Sequence, residues 1–386
     1  MPAPHDLTYE WVHVSAAEAG DFTEAYSFAG TGGRVNLDGV LVRPRGVRSD
    51  TLFIFMHPAS ALQLLPVETE TARLGGHVLC AGSRYARNET AAILEKVLLD
   101  LGAYVREARD VWGYRKIVLL GWSANGSLSL SYQAQAERPS LRQTAAGDPI
   151  SLAGLAPVDA IIFQAAQVSR ARMLSEMIDP AVRDEADPAA RDADLDLYAG
   201  KAAPFSASFL ERYRAAQLAR VRRITGWVKG QLAGLEGDER DRAFVTHRTM
   251  ADPHFLDPAI DPNDRQPNRC WMGDPREVNA GAAGLARYST LKAWLSQWSV
   301  DDSNIDALRG AAGATAPLLV IENSADDGVP RAHLKEVFAA SASVDKTYEV
   351  ISGATHYYAG QTDKLHQTIR LTRDWLAKRG LLEIAA

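Results

Sequence analysis

Residues 117–136 read IVLLGWSANGSLSLSYQAQA, and this stretch decides the fold. Its first four residues predict a buried strand, the next six a tight turn, and the remainder a helix. A strand, a turn and a helix in this order can hold Ser123 on a strained turn, with its hydroxyl exposed above a sheet. Asn125 takes the place of the second glycine of the usual G-x-S-x-G, and Gly126 follows it. We therefore expect the helix to pack differently there, and an ordinary strand-to-helix turn is the alternative interpretation.

Further apolar, β-branched runs lie on both sides of this stretch, with helical stretches between them. Such alternation is typical of the α/β class, with a mostly parallel sheet flanked by crossover helices. A glycine-rich stretch near the N-terminus predicts an antiparallel hairpin of 25–28 with 35–42 at the edge of the sheet. The six expected parallel strands are 52–56, 77–81, 117–121, 160–164, 318–322 and 347–351.

About 150 residues without a convincing strand separate Gln164 from Leu318, and this is too long for a loop. The segment is rich in Asp, Ala and Arg, and repeated Asp-Pro pairs break its helical runs. We predict a core domain of residues 1–165 and 312–386, with a helical cap of residues 166–311 inserted between its strands. The Gly- and Ala-rich residues 310–317 are predicted to be the linker that returns to the core.

The composition indicates a folded protein and excludes several classes of function. Apolar residues make up 46% of the 386 residues and charged residues 23%, which are globular averages. A formal net charge of −6 lacks the basic excess that goes with binding to phosphate backbones, so no nucleic-acid partner is expected. No apolar run approaches the roughly 20 residues of a membrane span, so no membrane partner is expected either.

Cysteine and histidine usage predicts no metal and no cofactor. The nine histidines and two cysteines form no zinc-binding pattern, and Cys80 and Cys270 fit a reducing compartment. The N-terminal residues contain no secretory or transit pattern, so a cytoplasmic location is expected. The expected partner is a small-molecule substrate, and long cap helices could also pair two chains as a homodimer.

Two downstream side chains could activate Ser123, because a serine hydroxyl needs a base that a carboxylate orients. Asp326 follows the strand 318–322 and is the predicted acid, with Asp327 and then Glu322 as its rivals. His356 lies in a glycine-bearing loop after the last strand and is the predicted base. These three side chains would meet at the carboxyl edge of the sheet.

Acyl transfer places negative charge on an oxygen, which two backbone N–H groups could stabilise. We predict that one N–H belongs to Ala124. The other would come from the loop after strand 52–56, where Pro58 has no N–H to donate. Ala59 is therefore the predicted second donor, with Ser60 as the alternative. His57 is predicted to hold this loop rather than to act as a second base.

With Ser123, Asp326 and His356 in this order at successive strand ends, the chain resembles the α/β-hydrolase superfamily. The residues Ser-Arg-Tyr at 83–85 and the run 322–327 are similar to its cap-bearing, esterase-like branch. The resemblance implies a cap between the sixth and seventh strands, and a cofactor-free serine hydrolase of carboxylic esters or related acyl compounds. The alternatives are a carbon–carbon bond hydrolase or lyase that uses the same triad, and a non-catalytic ligand-binding protein.

Several side chains are candidates for binding a small, apolar or aromatic substrate. Those expected near the serine and the histidine are Trp122, His57, Ser60, Arg84 and Tyr357. Core packing is the alternative for Trp122, and packing of the last helix is the alternative for Tyr357 and Tyr358. Arg84 could bind a substrate carboxylate or form a salt bridge with the loop at Asn88 or Glu89. In the cap, Trp271, Trp294 and Trp298 could form a lid.

Overall fold

Strands alternate with helices along most of the chain, as the sequence predicts. The structure is a computed structural model, and it describes residues 4–18, 23–25, 28–30, 33–58 and 65–382. The strands within these ranges are β1 (Leu7–Ala17), β2 (Thr23–Ala25), β3 (Phe28–Gly30), β4 (Arg34–Pro44), β5 (Thr51–Phe55), β6 (His77–Ala81), β7 (Lys116–Trp122), β8 (Ala160–Gln164), β9 (Ala243–Val245), β10 (Tyr288–Thr290), β11 (Leu318–Asn323) and β12 (Lys346–Ile351). The helices are α1 (Pro66–Arg73), α2 (Leu94–Asp110), α3 (Asn125–Glu137), α4 (Arg170–Met177), α5 (Ala207–Ala233), α6 (Pro275–Ala280), α7 (Leu291–Gln297), α8 (Ala307–Gly313), α9 (Arg331–Ala340) and α10 (Thr362–Ala377).

One mixed sheet of eight strands organises the described chain, in the order β1-β4-β6-β5-β7-β8-β11-β12. Strands β6, β5, β7, β8, β11 and β12 are parallel to one another, whereas β4 is antiparallel to both of its neighbours. All six predicted parallel strands are confirmed, with ends that shift by at most one residue. Because parallel strands end at the same edge, the loops after β7, β11 and β12 meet there.

The central strands are buried on both faces, which explains their nearly continuous apolar sequences. In β5, Leu52 and Ile54 pack on one face, and Phe53 and Phe55 pack on the other. Helices α2, α3, α8 and α9 contribute to the first of these two clusters, and α1 and α10 to the second. The sheet is therefore the middle layer of three.

The predicted hairpin at the sheet edge is wrong in its partner. Strand β4 pairs with β1, from Leu7 opposite Pro44 to Ala17 opposite Arg34, while β2 and β3 pair with each other. Residues 26–27, inside the expected strand 25–28, lie outside the described residues. Strand β1 was not predicted from the sequence because only one of its faces is buried. Val12 and Val14 point inward, whereas Trp11 is 73% exposed.

The residues between β8 and β11, the sixth and seventh strands of the main sheet, are mostly helices and turns. They also contain the small antiparallel pair β9 and β10, so the expectation of a segment without strands is wrong. Short, partly exposed strands of three residues give too weak a pattern to recognise. This segment has its own apolar cluster, in which the indoles of Trp294 and Trp298 stack at 4.8 Å. The predicted boundaries of core and cap stay a prediction.

The predicted linker at 310–317 is also wrong in its first half, because residues up to Gly313 belong to α8. A Cβ at Gly310 would lie 2.7 Å from the backbone carbon of Leu130 and 2.8 Å from the nitrogen of Ser131, both in α3. Glycine is present because two helices pack closely, and not because the chain is flexible there. No helix in the described parts of the chain is long and apolar enough to cross a membrane.

Candidate active site

Ser123 lies on a sharp turn between β7 and α3, at the carboxyl edge of the sheet. Its φ of +55° is the left-handed conformation, which a residue with a side chain adopts only when its surroundings enforce it. The N–H of Ser123 donates to the carbonyl of Gln164 at the end of β8, at 3.2 Å. The turn therefore holds the Ser123 hydroxyl just beyond the carboxyl end of β7, and not inside the sheet.

Two glycines and one asparagine make this turn possible. A Cβ at Gly121 would lie 2.8 Å from the Cα of Gly126, and a Cβ at Gly126 would lie 2.4 Å from the Cβ of Ala166. Strand and helix therefore approach too closely for any side chain at these two positions. Asn125 is buried, and its Nδ2 donates to the carbonyl of Leu120 at 2.6 Å. The departure from the usual glycine thus ties the first turn of α3 to β7.

Asp326 and His356 meet in the loops after β11 and β12. The Nδ1 of His356 lies 3.0 Å from Oδ2 of Asp326 and 3.1 Å from Oδ1, and a carboxylate at this distance accepts a hydrogen bond from Nδ1–H. Oδ1 also accepts the backbone N–H groups of Gly328 and Val329, at 2.7 and 2.9 Å. Both side chains are buried. The carboxylate is thus held rigidly and orients the imidazole.

The two rival acids occupy other positions. The Oδ2 of Asp327 lies 4.0 Å from Nε of Arg269, and burial together with repulsion from Asp326 raises the pKa of Asp327. Glu322 is ion-paired with Arg331 at 3.2 Å and accepts the hydroxyl of Tyr348. Of the three candidate acids, Asp326 is the one that contacts the histidine.

The surroundings of His356 favour its protonated form. Burial lowers the pKa of His356, but the negative charge of Asp326, the hydrogen bond to it and the charge of Asp327 together outweigh burial, so its pKa is raised above 6.5. The imidazole is also enclosed by aromatic rings: the centroid of Trp122 lies 4.7 Å away, that of Tyr357 5.0 Å and that of Trp271 6.3 Å. The imidazole of His356 therefore has a carboxylate partner and little contact with solvent.

Ser123 and His356 line the same cavity, whose volume is about 590 Å³. Among the described residues, the imidazole of His356 is hydrogen-bonded to Asp326, and no hydrogen bond joins it to Oγ of Ser123. Looser contacts between nucleophile and base are common in enzymes without substrate.

Ala124, at the start of α3, also lines the cavity. The predicted second donor, Ala59, and its alternative Ser60 lie outside the described residues.

The other predicted substrate-binding residues divide into two groups. Trp122, His57 and Tyr357 line the cavity. Arg84 does not, and its predicted role is wrong: it is 2% exposed, its Nη2 lies 2.7 Å from Oδ1 of Asp100, and its Nη1 contacts Glu18. A salt bridge exists, as the alternative predicted, but with Asp100 and Glu18 instead of the loop at 88–89.

The remaining aromatic candidates separate in the same way. Trp271 lines the cavity, whereas Trp294 and Trp298 are fully buried in the cluster of the segment between β8 and β11. The hydroxyl of Tyr358 contacts Gln164, Asn323 and Thr368, so this ring packs the core while Tyr357 borders the cavity.

Sequence reasoning missed four polar residues of the cavity: Arg87, Glu89, Gln167 and Arg170. Glu89 forms an ion pair with Arg170, which is 81 residues away in the chain, and its Oε1 accepts the N–H of Ala286 at 3.0 Å. No spacing in the sequence could indicate such a pair.

Burial and the charge of Arg170 lower the pKa of His57 to about 4, so its imidazole is neutral at neutral pH.

Metal binding has no support in the described part of the chain. No group of three or more His, Cys, Asp or Glu side chains there could hold a metal ion. Both cysteines are buried and unpaired with each other.

No family model and no curated protein matches the chain. Among solved structures, it is similar to the α/β hydrolase GrgF from Penicillium sp. sh18, with 12% identity and a TM-score of 0.52 over 96% of this chain and 98% of GrgF. An esterase from Pyrococcus furiosus shares 11% identity at a TM-score of 0.46, over 96% of this chain and 91% of the esterase. Est1E from Butyrivibrio proteoclasticus shares 13% identity at a TM-score of 0.45, over 94% and 99%.

The likeness to GrgF is a likeness of fold, and it covers almost the whole of both chains. It agrees with the sheet order, with the sharp turn at Ser123 and with the meeting of Asp326 and His356 at the carboxyl edge. The chain therefore has the α/β-hydrolase fold.

Proposed function

We propose that this protein is a serine hydrolase that cleaves a carboxylic ester of a small, apolar or aromatic substrate. The observation that carries the proposal is the convergence of Ser123, on its left-handed turn, and the hydrogen-bonded pair of His356 and Asp326 on one cavity. A serine, an imidazole and an orienting carboxylate in this order are the parts that acyl transfer requires. A cavity of about 590 Å³ has the size of a small-molecule site.

The reaction uses these groups in two steps. In the first, Nε2 of His356 takes the proton of the Ser123 hydroxyl as Oγ attacks the ester carbonyl carbon, and the backbone N–H of Ala124 donates to the resulting oxyanion. The tetrahedral intermediate then expels the alcohol, which takes the proton from Nε2, and an acyl-enzyme remains. In the second step, Nε2 removes a proton from water, the hydroxide attacks the acyl carbon, and Oγ leaves with that proton as the acid is released.

Asp326 takes no proton in this scheme. Its negative charge stabilises the imidazolium that forms in each step, and its hydrogen bond to Nδ1 leaves Nε2 as the nitrogen that faces the serine. The backbone N–H groups of Gly328 and Val329 fix the carboxylate, so that the imidazole needs little reorganisation.

The segment 166–311 is proposed to act as a cap over this site. Arg170, Met173, Trp271 and Leu285 all come from it and line the same cavity as Ser123 and His356. Trp271 and Trp122 give the cavity aromatic surface, which favours an apolar or aromatic group in the substrate.

Hydrolysis of a panel of nitrophenyl esters, from acetate to decanoate, tests the proposal. We expect turnover of at least one ester, its loss in Ser123→Ala and His356→Gln, and its retention in His366→Gln. His366 is the matched control, because it lies on α10 in contact with Glu70 and outside the cavity lining. Negligible turnover across the panel by the folded wild-type protein contradicts ester hydrolysis, and is the result that a carbon–carbon bond hydrolase would give.

A further inference from the structure

Gln167 is the most unusual polar side chain of the cavity. It is fully buried, and neither Nε2 nor Oε1 of its amide has a hydrogen-bonding partner among the described residues. More than nine in ten buried polar groups in proteins are hydrogen-bonded, so an amide with both atoms unpaired needs an explanation. Gln167 lines the cavity that contains Ser123 and His356. Gln167 is thus a residue of the cavity lining whose buried amide has both of its hydrogen-bonding atoms left to pair with a ligand.

The backbone ahead of Gln167 has an unusual conformation. Ala165 follows the end of β8 with a φ of +45°, a left-handed conformation for a residue with a side chain. Its N–H is held by the carbonyl of Ile321 in β11, at 3.0 Å. The chain thus turns sharply as it leaves the sheet, one strand away from Ser123, and Gln167 reaches the cavity two residues later. Strain of this kind clusters at binding and catalytic sites.

The neighbours of Gln167 supply a second free donor and no free anion. Trp122 also lines the cavity, and its buried Nε1 also has no partner within the described residues. The carboxylate of Glu89 is engaged by Arg170 and by the N–H of Ala286. Nε of Arg170 donates to Gln297 at 2.8 Å. Glu89 and Arg170 are therefore paired with each other, Arg87 is an exposed cation of the same lining, and Gln167 is the neutral residue of the lining whose amide has no partner.

We propose that Gln167 is a substrate-binding residue that pairs with an amide-like group of the substrate, in which an N–H donor stands beside a C=O acceptor. A glutamine amide offers one acceptor and two donors, so a ligand group with both functions satisfies it at two points. A ketone or an ether could accept a hydrogen bond from Nε2 of Gln167 but could donate none to Oε1. A carboxylate likewise has no N–H or O–H to donate to Oε1. The substrate class is then an ester that also carries a carboxamide or lactam. This inference rests on the proposed ester hydrolysis, because it specifies the ester.

Binding of intact esters in a Ser123→Ala background tests the inference separately from turnover. Three methyl esters of equal length end in a primary amide, a methyl ketone or an isopropyl group, which have nearly the same shape. A second set carries the same three groups on the alcohol side. Each is titrated calorimetrically into Ser123→Ala, and into the same protein with Gln167→Leu, Gln167→Met or Gln143→Leu. Gln143 is exposed and outside the cavity lining, so it is the matched control.

In one of the two sets, we expect the amide ester to bind about tenfold or more tightly than the isopropyl ester, because leaving a paired polar group unmatched strongly discriminates between ligands. The ketone should fall between them. Gln167→Leu and Gln167→Met should abolish or reverse this preference, and Gln143→Leu should keep it. Equal binding of amide and isopropyl esters in both sets overturns the inference, as does a preference that survives both Gln167 variants. Failure of the proposed function is a different result, namely a wild-type protein that binds esters and hydrolyses none.

Discussion

The hydrogen bonds around Asp326 determine what the imidazole of His356 can do. One carboxylate accepts Nδ1–H and two backbone N–H groups, so these three hydrogen bonds fix its orientation. Ser123, Asp326 and His356 could be proposed from the sequence because each follows a recognisable strand. Arg84 was misassigned because its partners, Asp100 and Glu18, come from other parts of the chain, and no local pattern pairs them.

Replacing Asp326 with asparagine should lower kcat by about a thousandfold or more, because the amide stabilises the wrong tautomer of His356 and leaves the imidazolium without a counter-charge. The side chains are nearly equal in size, so folding should persist. Steady-state kinetics with the best ester of the panel measure the effect. Asp327→Asn is the control and should keep most of the activity; a loss as large as that of Asp326→Asn would mean that the wrong acid has been assigned.

The pH dependence of activity should report on the same pair. His356 acts as a base only when neutral, and its carboxylate neighbours raise its pKa above 6.5. The ratio kcat/KM should therefore rise with pH along an acidic limb whose midpoint lies above 6.5, since this ratio reports on the free enzyme. Asp327→Asn should move the midpoint down, because it removes one of the negative charges that raise the pKa. A wild-type midpoint below 6.5 is incompatible with this description of the site.

At the scale of elements, burial decided what the sequence could reveal. Five of the six parallel strands are buried along nearly their whole length because both of their faces are covered, and β12 at the sheet edge is partly exposed; all six were predicted. Strand β1 was missed because one face is exposed to solvent, and α8 was mistaken for a linker because its glycines serve close packing against α3. Replacing a glycine can therefore lower or raise the free energy of unfolding, depending on whether its surroundings leave room for a side chain.

Two glycine-to-alanine substitutions make this contrast measurable. Gly126→Ala puts a Cβ 2.4 Å from the Cβ of Ala166 and 2.6 Å from the ring of Phe163, so strand and helix must separate. We expect it to lower the free energy of unfolding by about 1–3 kcal/mol, as overpacking does. Gly230→Ala, on α5, meets nothing within 4 Å and should raise that free energy by about 0.5–1 kcal/mol. Denaturant unfolding measures both, and a Gly126→Ala protein as stable as the wild type would refute the close approach.

At the scale of the whole molecule, the ion pair of Glu89 and Arg170 links the chain between β6 and α2 to the first helix after β8. The pair lines the cavity of Ser123 and His356 and is completed by the N–H of Ala286 and by Gln297. Contacts between residues this far apart in sequence depend on the finished fold, which is why the pairing of Glu89 with Arg170 was not predicted. The second oxyanion donor, predicted at Ala59, stays a prediction.

A double-mutant cycle on this pair tests the link. Arg170→Met leaves the carboxylate of Glu89 without its cation and should lower the free energy of unfolding by about 1–3 kcal/mol. Combined with Glu89→Leu, the loss should be smaller than the sum of the two single losses by about 1 kcal/mol. Denaturant titrations of the four proteins give the coupling energy. Strictly additive losses would mean that the pair does not join the two parts of the chain energetically.

The most direct test of the central claim is covalent labelling with a fluorophosphonate, read by intact-protein and peptide mass spectrometry. A phosphonate reacts with a serine that a neighbouring base activates, and it needs no knowledge of the natural ester. We predict one adduct per chain, located on Ser123, absent from Ser123→Ala and formed far more slowly by His356→Gln. An unlabelled wild-type protein, or an adduct located on another residue, would contradict the account.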